Sequence, residues 1–288
     1  MTLRKGISTI TAKASERSME ADVPFPVTPR EEYDKNPLEE VICQLRFPTI
    51  LKIGAAAPVE FQERIRKLYP NYEEAVESLQ IPRALSELVS QLQISVPSIS
   101  TKRYRFSTSD DSRSVVLTPE FLAFTEAKYQ RWTTLKEQIQ FVEREFRSVY
   151  SPEFYSRVGL RYRDKIVRSK LDLANVDWRE LLNPDLTGFL GDDAHAGLVR
   201  KTRGEVEMAL PGMEGDTITL RHGLIHDGGL KEDVYVMDID LHTQARSTPE
   251  DVYGILDRFN AVAGNFFRWA VGARLRNALV PRRLGEEQ

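Results

Sequence analysis

An α+β fold built on antiparallel sheet is what this sequence predicts, and three observations predict it. Apolar and polar residues alternate over short runs, the mark of strands with one buried face. Two long stretches carry apolar residues at helical spacing. The order strand, short helix, several strands, long helix runs through the chain twice.

The first strand is the clearest element. In Asn36-Pro37-Leu38-Glu39-Glu40-Val41-Ile42-Cys43-Gln44-Leu45-Arg46-Phe47-Pro48, the residues Val41, Cys43, Leu45 and Phe47 fall on one side of an extended chain. Pro37 is tolerated at a strand start, and Pro48 has no N–H to continue a ladder. Phe61, Ile65 and Leu68 then recur at helical spacing between Pro58 and Tyr69, and Pro70 closes that helix. The stretch from Tyr72 to Gln91 is expected to be helical in parts, broken near Pro82. Extended runs follow: Leu92, Ile94 and Val96, then Tyr104 and Phe106 alternating with Arg103 and Arg105. After an Asp110-Asp111-Ser112 turn come Val115 to Thr118 and Phe121 to Thr125. The first long helix places Leu135, Ile139, Val142, Phe146 and Val149 on one face, with Thr134 and Glu137 as a capping box.

The second half repeats the order. Arg157 to Arg168 is a strand with Val158, Leu160 and Tyr162 on one face, and a short helix lies around Trp178 to Leu182. Leu198 to Leu210, Thr217 to Leu224 and Val234 to His242 are three more strands, with turns at Pro211-Gly212 and Gly228-Gly229. Thr248-Pro249-Glu250-Asp251 opens the second long helix, expected to run from about 249 to 278. The short match between Gln44-Leu45-Arg46-Phe47 and Gly159-Leu160-Arg161-Tyr162 aligns the two first strands. The expected organisation is a disordered leader over 1–34, a first half-repeat over 35–152 and a second over 153–288, packed as one unit. The order of elements is similar to that of TATA-binding-protein and helix-grip folds, which by itself licenses no function.

Composition narrows the classes of function. With 288 residues the chain has room for a large core, and a formal charge of −3 gives no net basic field for nucleic acid. One cysteine, Cys43, excludes an internal disulfide and a cysteine-rich metal site, and its place on an apolar strand face marks an inert thiol. No apolar run approaches a membrane span and no signal-peptide core is present, so a soluble cytoplasmic protein without a membrane partner is expected.

Tyr33, Asn36-Pro37-Leu38, Glu40-Val41, Gln44-Leu45-Arg46-Phe47-Pro48 and Ile53 together resemble a sporadically distributed bacterial family of uncharacterised function. Tyr129 with Trp132, Asp238-Ile239-Asp240 and the final helix with Phe266 also look like that family. The resemblance covers about residues 33 to 280 and transfers no catalytic residues. Sporadic distribution suggests carriage on mobile elements, and with it a defence or toxin-neutralising context.

No phosphate loop, dinucleotide fingerprint, zincin helix or nucleophile elbow occurs, and no cofactor is expected. Two constellations stand out. Arg46, Arg103, Arg105, Arg157, Arg161, Arg163 and Arg221 all alternate opposite apolar partners, which would gather them on one outer sheet face. Arginine forks bind phosphate and carboxylate. The competing account is ion pairing across strands with Glu205, Glu207, Asp238 and Asp240. Asp238, Asp240 and His242 alternate on one strand near His226 and Asp227, a candidate divalent-ion set, against the plainer account of a solvated strand face. His195, in a Gly/Asp-rich loop, is expected to be exposed. The function expected is a non-enzymatic binding protein recognising a protein partner, a nucleic acid or another anionic ligand, with a homodimer compatible. The alternatives are a metal-dependent phosphoester hydrolase and a structural subunit of an assembly.

Overall fold

The computed structural model describes residues 24–78, 100–211 and 215–283. The fold is α+β. A short ribbon pairs β1 (Glu31–Tyr33) with β11 (Pro281–Arg283), so the two ends of the described chain meet. Nine further strands form one antiparallel sheet. At its centre lie β2 (Leu38–Arg46) and β7 (Arg157–Ile166), the first strands of the two halves. Outward from β2 run β6 (Phe121–Glu126), β5 (Arg113–Leu117), β4 (Ser100–Ser107) and β3 (Asn71–Ser78). Outward from β7 run β10 (Glu232–Thr243), β9 (Asp216–Asp227) and β8 (Gly204–Ala209).

Alternation decides which face is buried. Val41, Cys43 and Leu45 of β2, Val158, Leu160 and Tyr162 of β7, and Ile239 and Leu241 of β10 share one side and are all buried. Two helices of 19 residues cover that side: α3 (Trp132–Tyr150) after β6, and α6 (Val252–Ala270) after β10. Phe146 of α3 packs on Phe47 at 4.9 Å between ring centres, and Asn260 of α6 accepts a hydrogen bond from Tyr162 at 2.9 Å. The helices also hold each other. The Trp132 indole donates to Asp257 at 2.7 Å, and the buried Glu143 accepts from Tyr155 and Tyr253, each at 2.7 Å. Smaller helices fill the connections: α1 (Leu51–Ala55), α2 (Val59–Ile65), α4 (Trp178–Leu181), α5 (Pro184–Thr187) and α7 (Ala273–Ala278).

Several elements differ from the sequence expectation, each for a tertiary reason. Residues 72–78, within the stretch expected to be helical in parts, belong to β3, paired along β4 with Tyr72 opposite Phe106 and their rings 5.6 Å apart. Residues 79–91 of that expectation, and the run Leu92-Ile94-Val96, lie outside the described residues. Helix α3 starts at Trp132 rather than at Thr134, with no side-chain cap; the bond from Trp132 to Asp257 fixes its start instead. The strand expected from Leu198 begins only at Gly204. The second long helix starts at Val252, after Thr248 and Asp251 have bonded each other reciprocally. It stops at Ala270 because Val271 leaves to bridge Leu182, and the Gly272 N–H donates to the Leu181 carbonyl at 2.8 Å. A Cβ on Gly272 would lie 3.0 Å from the Glu180 carbonyl oxygen, so glycine permits this close approach.

Of the leader expected over 1–34, residues 1–23 lie outside the described set, and residues 24–34 are described. Phe25 is buried with its ring 5.2 Å from both Phe266 and Trp269 of α6. Tyr33 packs edge-on against Phe267 at 5.3 Å, and Arg276 donates to Glu31 at 2.8 Å. Residues 25–34 therefore form a strap across α6. Proline-rich polar sequence gave no periodic signal there because the strap is held by single anchors and not by a face.

Candidate functional site

The seven arginines do share the outer face of the sheet by strand parity, but six of them face acids at ion-pair distance. Arg157 grips Asp240 with contacts of 2.8 and 3.1 Å and also donates to Gln44. Arg161 forks onto Asp238, with Nε 2.6 Å from Oδ1. Arg221 meets Glu205 at 3.1 Å, Arg105 meets Asp111 at 2.6 Å, and Arg46 meets Glu120 at 3.3 Å. Arg163 lies 3.5 Å from both Glu39 and Glu40. Arg103, on the same face of β4, is not without a partner either. Cross-strand charge pairs of this kind are the ordinary stabilising unit of a sheet face.

Asp238, Asp240 and His242 also stand on that face. Both carboxylates are engaged by Arg161 and Arg157. The buried His242 Nδ1 has no hydrogen-bond partner in the described structure, and burial followed by the nearby Arg157 lowers its pKa. His226 pairs with Asp233 at 2.9 Å and Asp227 with Lys165 at 2.6 Å. Among the described residues no group of three or more His, Cys, Asp or Glu side chains is arranged to hold a metal ion. His195 is half-exposed on Asp192. Cys43 is buried, and burial pushes its thiol up to about 12.

The opposite face holds a different kind of place. A cleft of about 150 Å³ opens between β7, β10, α6, the strap and the loop before α3. Its floor is Tyr162, Asp164 and Ile239, and one wall is the Asn260-Ala261 turn of α6 with Ala263 and Gly264. The small residues of that wall keep the helix from filling the space. Tyr33 comes from the strap, Asn36 from the turn before β2, Leu38 from β2, Tyr129 from the loop before α3 and Trp132 from the start of α3. The β2–β7 register shifts between Leu38 and Glu40, opposite Asp164 and Arg163, and a bulge there loosens the sheet beside the cleft. Arg30 and Arg268 stand among the lining residues.

Asp164 is the unusual group. Only 5% of it is exposed, yet its carboxyl has no hydrogen bond or ion pair among the described residues. Burial, and then the negative charge of Glu39, push its pKa up to about 7. The other buried acids are all partnered: Glu126 by Arg113, Glu143 by Arg147 at 3.0 Å, Asp216 by Arg258, and Asp238 by Arg161. Beside Asp164, Tyr162 is held far from ionisation by its burial and Tyr129 is pushed up to about 12 for the same reason. The Arg268 guanidinium bonds Thr28 and Asn265, and burial lowers its pKa.

Asp164 does not figure among the site residues the sequence suggests, although a signal for it exists. In Val158-Gly159-Leu160-Arg161-Tyr162-Arg163-Asp164-Lys165-Ile166 the inward slots read Val, Leu, Tyr, Asp, Ile, and an aspartate in that series is out of pattern. No protein-family model matches the chain, and no curated protein does. A solved structure described as "KH domains" aligns at 10% identity with a TM-score of 0.18, over 81% of this chain and 62% of that one. A likeness at that level carries no argument about fold or function.

Proposed function

We propose that this is a non-enzymatic binding protein that takes a ligand into the cleft under the strap. The observation that carries this is Asp164: a residue only 5% exposed, with a carboxyl that has no partner among the described residues and lines the cleft. A buried polar group left unpaired costs about 1–3 kcal/mol, and a ligand that hydrogen-bonds it removes that cost. A cleft with a few convergent polar groups and a shifted titratable residue is the arrangement expected of a ligand site. Tyr33, Asn36, Leu38, Tyr129 and Trp132, through which the chain resembles the bacterial family, line the same cleft. That shared location supports a role beyond packing.

The scaffold under this proposal is an internal duplication. Reading outward from the centre, β2-β6-β5-β4 mirrors β7-β10-β9-β8, with β3 extra at one edge and a 19-residue helix after β6 and after β10. Aligning Arg46 with Arg161 sets the twofold axis at the paired residues Gln44 and Gly159. Asp164 then corresponds to Thr49, beyond the end of β2, so the unpartnered carboxyl has no counterpart in the first half.

Mass spectrometry of small molecules retained from a metabolite extract tests the function. Wild type is expected to retain a compound that Asp164→Leu does not. Identical retention by the two, or none by wild type, would refute the cleft as a binding site.

A further inference from the structure

The lining of the cleft narrows the class of ligand, an inference that rests on the cleft being a ligand site. Two groups of the lining are available. A protonated Asp164 offers a hydroxyl donor beside a carbonyl acceptor. Asn260 has its Oδ1 occupied by the Tyr162 hydroxyl at 2.9 Å, which leaves its amide N–H groups for a ligand. Together they suit a molecular edge on which donors and acceptors lie side by side, as on a nitrogen heterocycle.

The volume restricts the size. About 150 Å³ matches the ~150 Å³ cavity that accepts one benzene ring. A single six-membered ring fills a space of that size. Aromatic walls at Tyr129, Trp132 and Phe267 suit a flat occupant.

Charge at the rim sets the third feature. Arg30 is exposed and has neither a hydrogen bond nor an ion pair among the described residues. Arg268 bonds only Thr28 and Asn265, both uncharged. On the outer sheet face, by contrast, arginines face carboxylates. Glu31 and Glu32 also line the cleft, but Glu31 is held by Arg276 and Glu32 lies 3.9 Å from Arg131. Among the described residues Arg30 and Arg268 are left without a carboxylate at ion-pair distance, which suits an anionic tail.

We propose that the cleft binds a pyrimidine nucleoside monophosphate, its ring edge on Asp164 and Asn260 and its phosphate on Arg30 and Arg268. Calorimetric titration of the full chain with cytidine and uridine 5′-monophosphates tests this, with the nucleosides and guanosine 5′-monophosphate as comparisons. At least one pyrimidine nucleotide is expected to bind with a submillimolar Kd, at least tenfold tighter than its nucleoside and than the purine nucleotide. Arg268→Met should weaken that nucleotide at least tenfold and leave the nucleoside unchanged. Asp164→Leu should abolish binding, while Asp164→Asn, which keeps a donor beside an acceptor, should bind within about threefold of wild type. Should Asp164→Leu fail to fold, the Asn variant and Arg268→Met still decide. Absence of binding by both pyrimidine nucleotides, or equal affinity for nucleotide and nucleoside, overturns the proposal. If the extract experiment yields a ligand that depends on Asp164 but is not a pyrimidine nucleotide, this assignment falls while the cleft remains a binding site.

Discussion

The two faces of the sheet around β7 treat charge in opposite ways. On the outer face, Arg157 and Arg161 are locked to Asp240 and Asp238, and the charges cancel locally. On the inner face, Asp164 sits three residues from Arg161 with no counter-charge and a carboxyl whose pKa burial pushes up to about 7. The first arrangement is dense in charge and chemically saturated. The second has a carboxyl with no partner among the described residues and unmet hydrogen-bonding capacity. Density of ionisable residues is thus a poor guide to a ligand site here, and lack of partnership is a better one.

The largest stability effect is expected from breaking the saturated side. Arg161→Ala leaves the nearly buried Asp238 carboxylate without its fork. Losing one member of a fully buried pair costs about 3–5 kcal/mol. Arg161 is 39% exposed at its side chain, so water takes up part of the loss, and about 2 kcal/mol is the expected drop in chemical denaturation. Ligand retention by the cleft should not change. A variant of full stability that has lost its ligand would move the binding site back to the arginine face.

The unsaturated side should respond in the other direction. Asp164 has its folded pKa raised to about 7 from an ordinary 3.8. Its contribution to stability is therefore fully present below about pH 4 and is lost as pH rises through about 7. Asp164→Asn removes that titration. The variant should match wild type near pH 4, gain over it as pH rises to 7, and hold a constant advantage above. The shift sets a ceiling of about 4 kcal/mol. The open cleft lets water reach the carboxyl, so a gain of about 2 kcal/mol at pH 8 is expected. Urea denaturation of both proteins at pH 4.5 and pH 8 measures it. Equal differences at the two pH values would show that Asp164 is not desolvated.

Much of this was legible in the sequence because the underlying patterns are periodic. Val41, Cys43 and Leu45 announce a one-sided strand, and the stripe from Leu135 to Phe146 announces a helix over that face. Parity also placed all seven arginines on one side. What parity does not contain is the identity of neighbours: that β10 lies beside β7, and so brings Asp238 and Asp240 to the arginines, is a long-range fact. The cleft was less legible still. It is assembled from the strap, the loop at Tyr129, one turn of α6 and the end of β7. The strap has no period because Phe25 and Tyr33 act as single anchors, and the β3 stretch looked helical because its pairing with β4 overrides local preference.

The smallest effect tests the proposed duplication itself. Under the proposed duplication Arg46 of β2 and Arg161 of β7 correspond, each after a leucine and before an aromatic. Their cross-strand neighbours differ: Arg161 lies opposite Asp240 on β10, whereas Arg46 lies opposite Phe121 on β6. Arg46 must therefore reach to Glu120 in the preceding turn, where the pair is 48% and 52% exposed. Exposed pairs contribute about 0–1 kcal/mol and are screened by salt. Arg46→Ala should accordingly lower stability by less than about 0.5 kcal/mol, against about 2 kcal/mol for Arg161→Ala. In 1 M salt the Arg46 effect should vanish while most of the Arg161 effect persists, since the buried Asp238 is shielded from ions. Equal losses at the two positions would mean that the halves share energetics as well as element order. The expected inequality would mean that the strand pattern repeats while the charge network belongs to the second half, the same half that carries Asp164.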